Sequence, residues 1–510
     1  MSETLTARTL KGAAWIGGAS VARLALRVLS VAILARLLTP HEYGVVAGAL
    51  IAMDFAAMIY GMGLAPTLVQ RKEVRPDHIA TAFFSALFMA VVAAVGLWYA
   101  APLVAELMQI PELTQILKVL AWLTPFGAFS VLCEALLARN MQVKKVAIRP
   151  LFSFTISTFL VGIPMAWYGF GYWSLVAMQV AETFVTALAL GVAARGLLAR
   201  PHFSRQAFAE LWPLSFGFTL NQPFVYLAEN TDKFLIGRLL GAGSLGLYTR
   251  ASFLTTTAAT LFGNITRLSV FPAMTQVRGD AERLRNALLK TLAVVALLTL
   301  PLSAFCITFA RELVNLLLGA HWGEAVVPFA VLSGALYFRL AWRGCGVLFQ
   351  ALGRPHLMSA VHAFRAVALI LGIWYAAPYG LETICGVVLV VMAAVSATML
   401  IMASHAVDLS FGSIARAHLR PVAISVIVLG TGMSMKTQTL DAPVSVALIS
   451  TFAVLAVLIA LNIRSTYRPP TYSSDVLRTK RSGPSIDAKL PRFTSTRKRE
   501  YEAYPPHRHP

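Results

Sequence analysis

From Ala13 to Ile463 the chain is a succession of apolar runs joined by short connections. A helix needs about 20 mostly apolar residues to cross a bilayer, and these runs reach that length again and again. No water-soluble core could absorb so many of them, so the expected fold class is an all-α polytopic membrane protein. Composition agrees. Of the 510 residues 57% are hydrophobic and 13% charged, with a mean hydropathy of +0.70, whereas soluble proteins carry roughly 25% charged residues. An outer-membrane barrel would show alternation in ten-residue segments instead.

Spans are expected near 13–38, 44–69, 79–101, 116–138, 150–168 and 172–194, then near 214–239, 246–271, 288–310, 325–350, 356–375 and 381–404, with two more near 419–436 and 443–463. That makes about fourteen transmembrane helices. The stretch after Lys11 is too long for a cleavable signal peptide and lacks a small-residue cleavage site, so it is expected to be the first span. Lysine and arginine fall on alternate connections: Arg71, Lys72 and Arg75, then Arg139 to Arg149, Arg195 to Arg205, Arg278 to Lys290, Arg354, and Arg416 with Arg420. The intervening connections carry Glu42, Glu106, Glu112, Glu324, Glu382 and Asp441 instead. By the positive-inside rule both termini are expected to be cytoplasmic.

This topology also accounts for the formal charge of +20 and the pI of about 10.2, and no nucleic-acid partner is expected. The four cysteines, Cys133, Cys306, Cys345 and Cys385, stand alone within apolar runs and read as small hydrophobes. The ten histidines form no ligand cluster, so neither a metal nor another cofactor is expected. Past Arg464 the texture turns to proline, serine and basic residues. Residues 464–510 are expected to be a disordered cytoplasmic tail, drawn to anionic headgroups of the inner leaflet; docking of a partner enzyme is the sharper alternative.

An internal repeat organises the spans. Arg36-Leu37-Leu38 and Gly44 match Arg238-Leu239-Leu240 and Gly246 at an offset of 202 residues, and the same offset carries Gly61 onto Gly263. Span one thus corresponds to span seven and span two to span eight. Six spans separate the copies, so the repeats share one orientation and are related by an axis along the membrane normal. The expected architecture is two parallel six-helix bundles, residues 1–195 and 214–404, joined by a cytoplasmic linker at 196–213 and followed by two additional helices at 405–463.

Charge inside the membrane marks function by default, because it is costly unless paired or facing water. Arg23 and Arg27 lie four residues apart on one face of span one, about 15 and 21 Å from its cytoplasmic end, and Asp54 lies about 15 Å from the outer end of span two. Glu229, Asp232 and Lys233 share one face of span seven, Arg339 and Arg343 lie in span ten, and Arg365 in span eleven. Arg36 and Arg238 sit at span ends, where snorkelling to headgroups explains them. Glu229 and Lys233 could neutralise each other. For Arg23, Arg27, Arg339 and Arg343, either Asp54 or Asp232 neutralises one of them or a ligand does. The deep balance is cationic, which suits an anion, and arginine's planar fork suits a phosphate or pyrophosphate. The nine residues Arg23, Arg27, Asp54, Glu229, Asp232, Lys233, Arg339, Arg343 and Arg365 are therefore the candidate substrate-binding set; no catalytic residue is proposed.

The stretches "LTPHEYGVVA" after span one, "NTDKFLIGRLLG" in span seven and "LGLYTRA" opening span eight resemble the oligosaccharide flippases of the Wzx/WzxC type, in the multidrug/oligosaccharidyl-lipid/polysaccharide exporter superfamily. The resemblance covers the fourteen spans and not the tail. It implies a place in the bacterial inner (cytoplasmic) membrane and movement of an undecaprenyl-diphosphate-linked oligosaccharide repeat unit across it for exopolysaccharide, of succinoglycan or related type, or for lipopolysaccharide. Polysaccharide polymerase and export proteins would then act on the product. Two rivals stand beside it. A multidrug-type cation antiporter would favour an acid-dominated site, whereas this chain is arginine-dominated. A membrane polysaccharide polymerase or ligase would place catalytic groups in a sizeable outer loop, and every outer loop here is short. No nucleophile–base pair, phosphate-cradling glycine loop or metal motif points to an enzyme.

Overall fold

The computed structural model describes residues 5–438, apart from 62, 201, 277–279 and 354–355; the span expected near 443–463 and the basic tail lie outside the described residues. Among the described residues all regular structure is helical. In chain order the helices are α1 (Leu5–Leu37), α2 (Pro40–Gly61), α3 (Leu64–Gln70), α4 (Pro76–Met108), α5 (Leu113–Ala121), α6 (Thr124–Arg139), α7 (Val143–Thr155), α8 (Ile163–Trp167) and α9 (Tyr172–Ala194). They continue with α10 (Arg205–Gln276), α11 (Ala281–Thr308), α12 (Ala310–Leu317), α13 (Val326–Gly334), α14 (Leu336–Ala351), α15 (His356–Ala376), α16 (Leu381–Ala406) and α17 (Phe411–Gln438). Nine helical stretches among the described residues are long and apolar enough to cross a membrane, and α5 with α6 makes a tenth if that pair, bent by 48°, is one span. The protein is a multi-pass helical membrane protein. The helices that carry Arg23, Arg27 and the Glu229–Lys233 face, α1 and α10, are not among the nine.

Several expected spans are broken, each for a local reason. The run near 116–138 bends before α6, where Pro125 in the first turn has no N–H to continue the ladder. The run near 44–69 divides at Gly63, whose φ of 61° few other residues adopt. Between α7 and α8 the turn Ile156–Gly162 widens to π geometry directly before Pro164, whose ring crowds the carbonyl one turn back. The 72 residues of α10 are two helices meeting at Gly241, with φ 79° and ψ −178°, a backbone region essentially reserved for glycine.

The repeat reappears as contact. A Cβ on Gly44 would lie 1.6 Å from the Ala242 carbonyl oxygen, and one on Gly246 would lie 1.8 Å from the Pro40 carbonyl oxygen. The start of α2 and the second segment of α10 therefore touch backbone to backbone, each through its own repeat-matched glycine. Arg36 and Arg238 behave in the same reciprocal way. Arg36 donates to the Leu316 carbonyl at 3.0 Å, and Arg238 donates to the Glu106 carbonyl at 3.2 Å. Each arginine reaches from one half of the chain to a helix end in the other. Trp322, fully buried, tightens the same region: its Nε1 donates to the Ala35 carbonyl at 2.8 Å and its ring meets Tyr43 edge-on at 5.5 Å.

The helix ends differ in chemistry. Exposed Trp167, Tyr168, Trp374, Tyr375 and Tyr379 lie where α8 and α15 end, as aromatic belts do at a membrane–water interface. The start of α4 is ionic. There Glu210, at the start of α10, accepts from Arg71 at 2.5 Å and Arg75 at 2.7 Å and lies 2.9 Å from Nε2 of the buried His78. Leu211 packs beneath them against Leu64, Leu68 and Leu132, and Ser215 donates to Thr67 at 3.0 Å. The first turns of α10 are thus bolted to α3 and α4.

Candidate functional site

Between the two halves lies a cavity of about 510 Å³ lined by α1, α2, α7, α9 and both segments of α10. Its charged wall residues are Arg27, Asp54, Glu182, Lys233 and Arg250. The Arg27 guanidinium lies 5.8 Å from the Phe154 ring and makes no hydrogen bond or ion pair among the described residues. Arg250 stacks between Tyr43, at 4.2 Å, and Phe253, at 5.6 Å, with its Nε buried and unpartnered. Aromatic faces hold a guanidinium in place without consuming its donors, so both cations keep donors for a ligand. Asp54 is exposed to the cavity and has Asn230 and Lys233 as its neighbours across the interface. Lys233 itself donates to Asn230 at 3.1 Å.

A second pocket, of about 350 Å³, lies among α10, α14, α15 and α16. It holds Glu229, Asp232, Lys233, Arg339, Arg343 and Arg365, with Trp342 in its wall. Asp232 accepts from Tyr248 Oη at 2.5 Å. Arg365, 7% exposed, donates to the Ala228 carbonyl and lies 3.9 Å from Glu229. Lys233, Thr249 and Phe253 line both cavities, so the two adjoin.

The sequence candidates thus sort into two groups that spacing alone does not separate. Arg27, Asp54 and Lys233 meet between the halves, while Glu229, Asp232, Arg339, Arg343 and Arg365 meet within the C-terminal half. The local Glu229–Lys233 pair does not form: Glu229 turns to Arg365 and Lys233 to Asn230. Arg23 lines neither cavity and has Arg27, Arg149, Glu134 and Glu182 as its charged neighbours. Arg36 and Arg238, expected to snorkel, each bind a carbonyl across the interface at an exposed position. Glu182 and Arg250 are absent from the candidate set. Glu182 carries the signal that Asp54 carries, an acid in the middle of an apolar run. Arg250 stands within the "LGLYTRA" motif but so near the start of its span that position alone suggests a headgroup contact.

A larger recess, of about 870 Å³, lies elsewhere. It is an apolar groove over α4, α6 and α9, with Arg195 its one charged wall residue. Its chemistry suits lipid chains, so the polar cavities carry the functional argument.

A helical membrane protein whose halves meet through matched glycines and enclose a charged cavity has the architecture of a known fold. The chain aligns with lipid II flippase MurJ in an inward closed conformation with a TM-score of 0.72, at 11% identity, covering 91% of this chain and 99% of that one. It also aligns with an inward-facing multidrug resistance MATE family transporter of the MOP superfamily, with a TM-score of 0.61, at 14% identity, over 76% of this chain and 98% of that one. The profile of the family described as "Polysaccharide biosynthesis protein" matches residues 33–327, more than half of the sequence, and the chain belongs to that family.

Curated relatives agree. The chain is 28% identical over 385 residues to succinoglycan biosynthesis transport protein ExoT of Rhizobium meliloti (strain 1021), covering 72% of this chain and 76% of the relative. It is 23% identical over 373 residues to lipopolysaccharide biosynthesis protein WzxC of Escherichia coli (strain K12), covering 72% and 75%. To teichuronic acid biosynthesis protein TuaB of Bacillus subtilis (strain 168) it is 22% identical over 366 residues, covering 69% and 73%. The resemblance to Wzx/WzxC-type flippases is borne out by these relatives together with the MurJ and MATE folds.

Proposed function

We propose that the protein is a flippase that moves an undecaprenyl-diphosphate-linked oligosaccharide repeat unit across the bacterial inner membrane for exopolysaccharide or lipopolysaccharide synthesis. The observation that carries this reading is the cavity between the halves, where Arg27, Lys233 and Arg250 outnumber Asp54 and Glu182 and the two guanidinium groups have donors to spare. Half-buried cations of this kind favour an anion, and the guanidinium fork matches the oxygens of a diphosphate. Names of relatives and the fold of a lipid II flippase support the same substrate class.

The plan that goes with it is fourteen spans with both termini cytoplasmic. Two parallel six-helix bundles, 1–195 and 214–404, are joined at 196–213 and followed by helices within 405–463 and a basic tail at 464–510. Reciprocal contacts of Gly44 with Gly246 and of Arg36 with Arg238 are what a two-fold axis along the membrane normal would produce. The halves rock about the glycine crossing and expose the cavity to each side in turn. Substrate enters by displacing Asp54 from Asn230 and Lys233, which bond to each other on α10 across the interface from it, so that loading biases one conformation over the other.

Reconstitution in vesicles with a fluorescent undecaprenyl-diphosphate oligosaccharide tests this. Wild type should render the lipid accessible from the far side. Arg27→Ala, inserted at normal level, should lose at least ninety per cent of the rate, and Arg27→Lys should keep part of it because charge survives without the fork. Transport of an organic cation against a cation gradient, with no movement of the lipid, would replace this reading with the antiporter.

A further inference from the structure

The pocket within the C-terminal half is chemically unlike the cavity it adjoins. Glu229 and Arg365 are engaged with each other, Asp232 with Tyr248, and Lys233 with Asn230. Arg339 and Arg343 are left over. They stand one turn apart on α14, and neither guanidinium makes a hydrogen bond or ion pair among the described residues; the Nε of Arg339 is buried without a partner, and the field of Glu229 reaches Arg343 without an ion pair. Two free guanidinium groups at membrane depth call for an anion.

The rest of the wall limits which anion. Glu229 is half exposed within the pocket and would repel a diphosphate, whose charge is at least twice that of a carboxylate. The same oxygens readily accept from neutral hydroxyls. Thr249 and Ser252 add hydroxyl groups, and Trp342 adds an apolar face between the two arginines in sequence. Guanidinium groups for one carboxylate, acceptors for several hydroxyls and an aromatic face for a ring's C–H side together describe a site for an acidic sugar. Its volume of about 350 Å³ accommodates a monosaccharide unit, and its shared wall of Lys233, Thr249 and Phe253 places that unit beside the cavity assigned to the diphosphate.

We propose that this pocket is a glycan subsite selecting a repeat unit that bears a carboxylate on a sugar close to the diphosphate, with Arg339 and Arg343 as its specificity-determining residues. The inference rests on the flippase reading. Binding to the purified full chain in lipid nanodiscs tests it with two probes sharing one polyprenyl diphosphate and one disaccharide length. The first sugar carries a C6 carboxylate in one probe and a C6 hydroxymethyl group in the other. Wild type should bind the acidic probe at least tenfold more tightly. Arg339→Gln/Arg343→Gln should erase that preference, so that the acidic probe binds no more tightly than the neutral one. Equal binding of both probes by wild type overturns the subsite while leaving the flippase reading intact, and so does a preference that survives in the double variant. Failure to bind either probe overturns the flippase reading itself. The wild-type comparison decides the matter even if the double variant does not fold.

Discussion

Helices α2 and α10 meet twice, in opposite ways. At Gly44 and Gly246 their backbones are in contact, closer than any side chain allows. Farther along α2, about 15 Å by helical rise, Asp54 faces Asn230 and Lys233 across a cavity. Side-chain size sets the first distance and charge the second. Two glycines remove everything between the helices, and a carboxylate opposite an ammonium keeps a polar gap that apolar packing would otherwise close. In the proposed mechanism, a tight, featureless crossing beside a charged gap gives the halves a fixed point about which to move and a place to hold cargo. Stability should therefore depend most on the first region and transport most on the second.

The largest effect is expected from breaking the crossing. Gly44→Leu places a side chain where the Ala242 carbonyl lies, and no rotamer avoids a clash that begins at Cβ. Even Gly44→Ala overpacks the contact, which typically costs about 1–3 kcal/mol. The melting temperature in detergent should fall for both variants, more for leucine, and vesicle transport should disappear. Gly61 is the control. It belongs to the same repeat, yet a Cβ there meets nothing within 4 Å, so Gly61→Ala should leave melting and transport unchanged. Equal loss from both glycines would show that the crossing is not special.

Next in size is the cavity. Arg250→Ala should reduce transport at least tenfold with little change in melting, because its guanidinium touches aromatic faces rather than partners that would be stranded by its loss. Arg23→Ala should reduce transport less, because Arg23 lies outside the cavity wall. Transport assays on vesicles matched for protein content separate the two. If Arg23→Ala is the more damaging, the cavity has been assigned to the wrong arginine.

Much of this was legible without coordinates. Apolar length marks the spans because the bilayer fixes it, and a constant offset marks Arg36, Gly44, Arg238 and Gly246 as equivalent. Spacing places Arg339 with Arg343, and Glu229 with Asp232 and Lys233, on single helix faces. What spacing cannot supply is the rotation of each helix against its neighbours. A few tens of degrees decide whether Glu229 meets Lys233 on its own helix or Arg365 on another. Backbone breaks at Gly63 and Gly241 escape a hydropathy reading for a similar reason, since apolar character runs straight through both.

A smaller effect is expected from the two interface arginines. Each donates to a carbonyl at a helix end of the other half, and a hydrogen bond from a charged donor is worth about 1.5–3 kcal/mol before exposure weakens it. Arg36→Ala and Arg238→Ala should lower the melting temperature by similar modest amounts and slow transport only partly. Similar losses would extend the equivalence of the halves from geometry to energetics. A large loss from one arginine alone would confine the two-fold relation to the glycines.

The smallest effect belongs to the ionic end, where Glu210 joins the first turns of α10 to α4 from outside the expected membrane span. Hydrogen bonding from His78, then from Arg75 and Arg71, holds its carboxyl down to about 2, below the ordinary 4.5, against the opposing pull of desolvation. A carboxylate with a depressed folded-state pKa contributes stability that is complete above its unfolded value and fades as pH falls towards its folded one. Glu210→Gln should therefore melt below wild type at neutral pH, with a gap that narrows as pH drops from about 4.5 towards about 2. The variant serves as the reference because other carboxylates titrate in the same window and cancel in the difference. The gap should be small and shrink with added salt, because solvent reaches these groups and screens them. A gap that stays constant across that pH range would mean the carboxylate's charge is not what fastens α10 to α4. The hydrogen bond from Arg71 to the Glu210 backbone carbonyl, at 2.8 Å, together with the packing of Leu211, would then be sufficient.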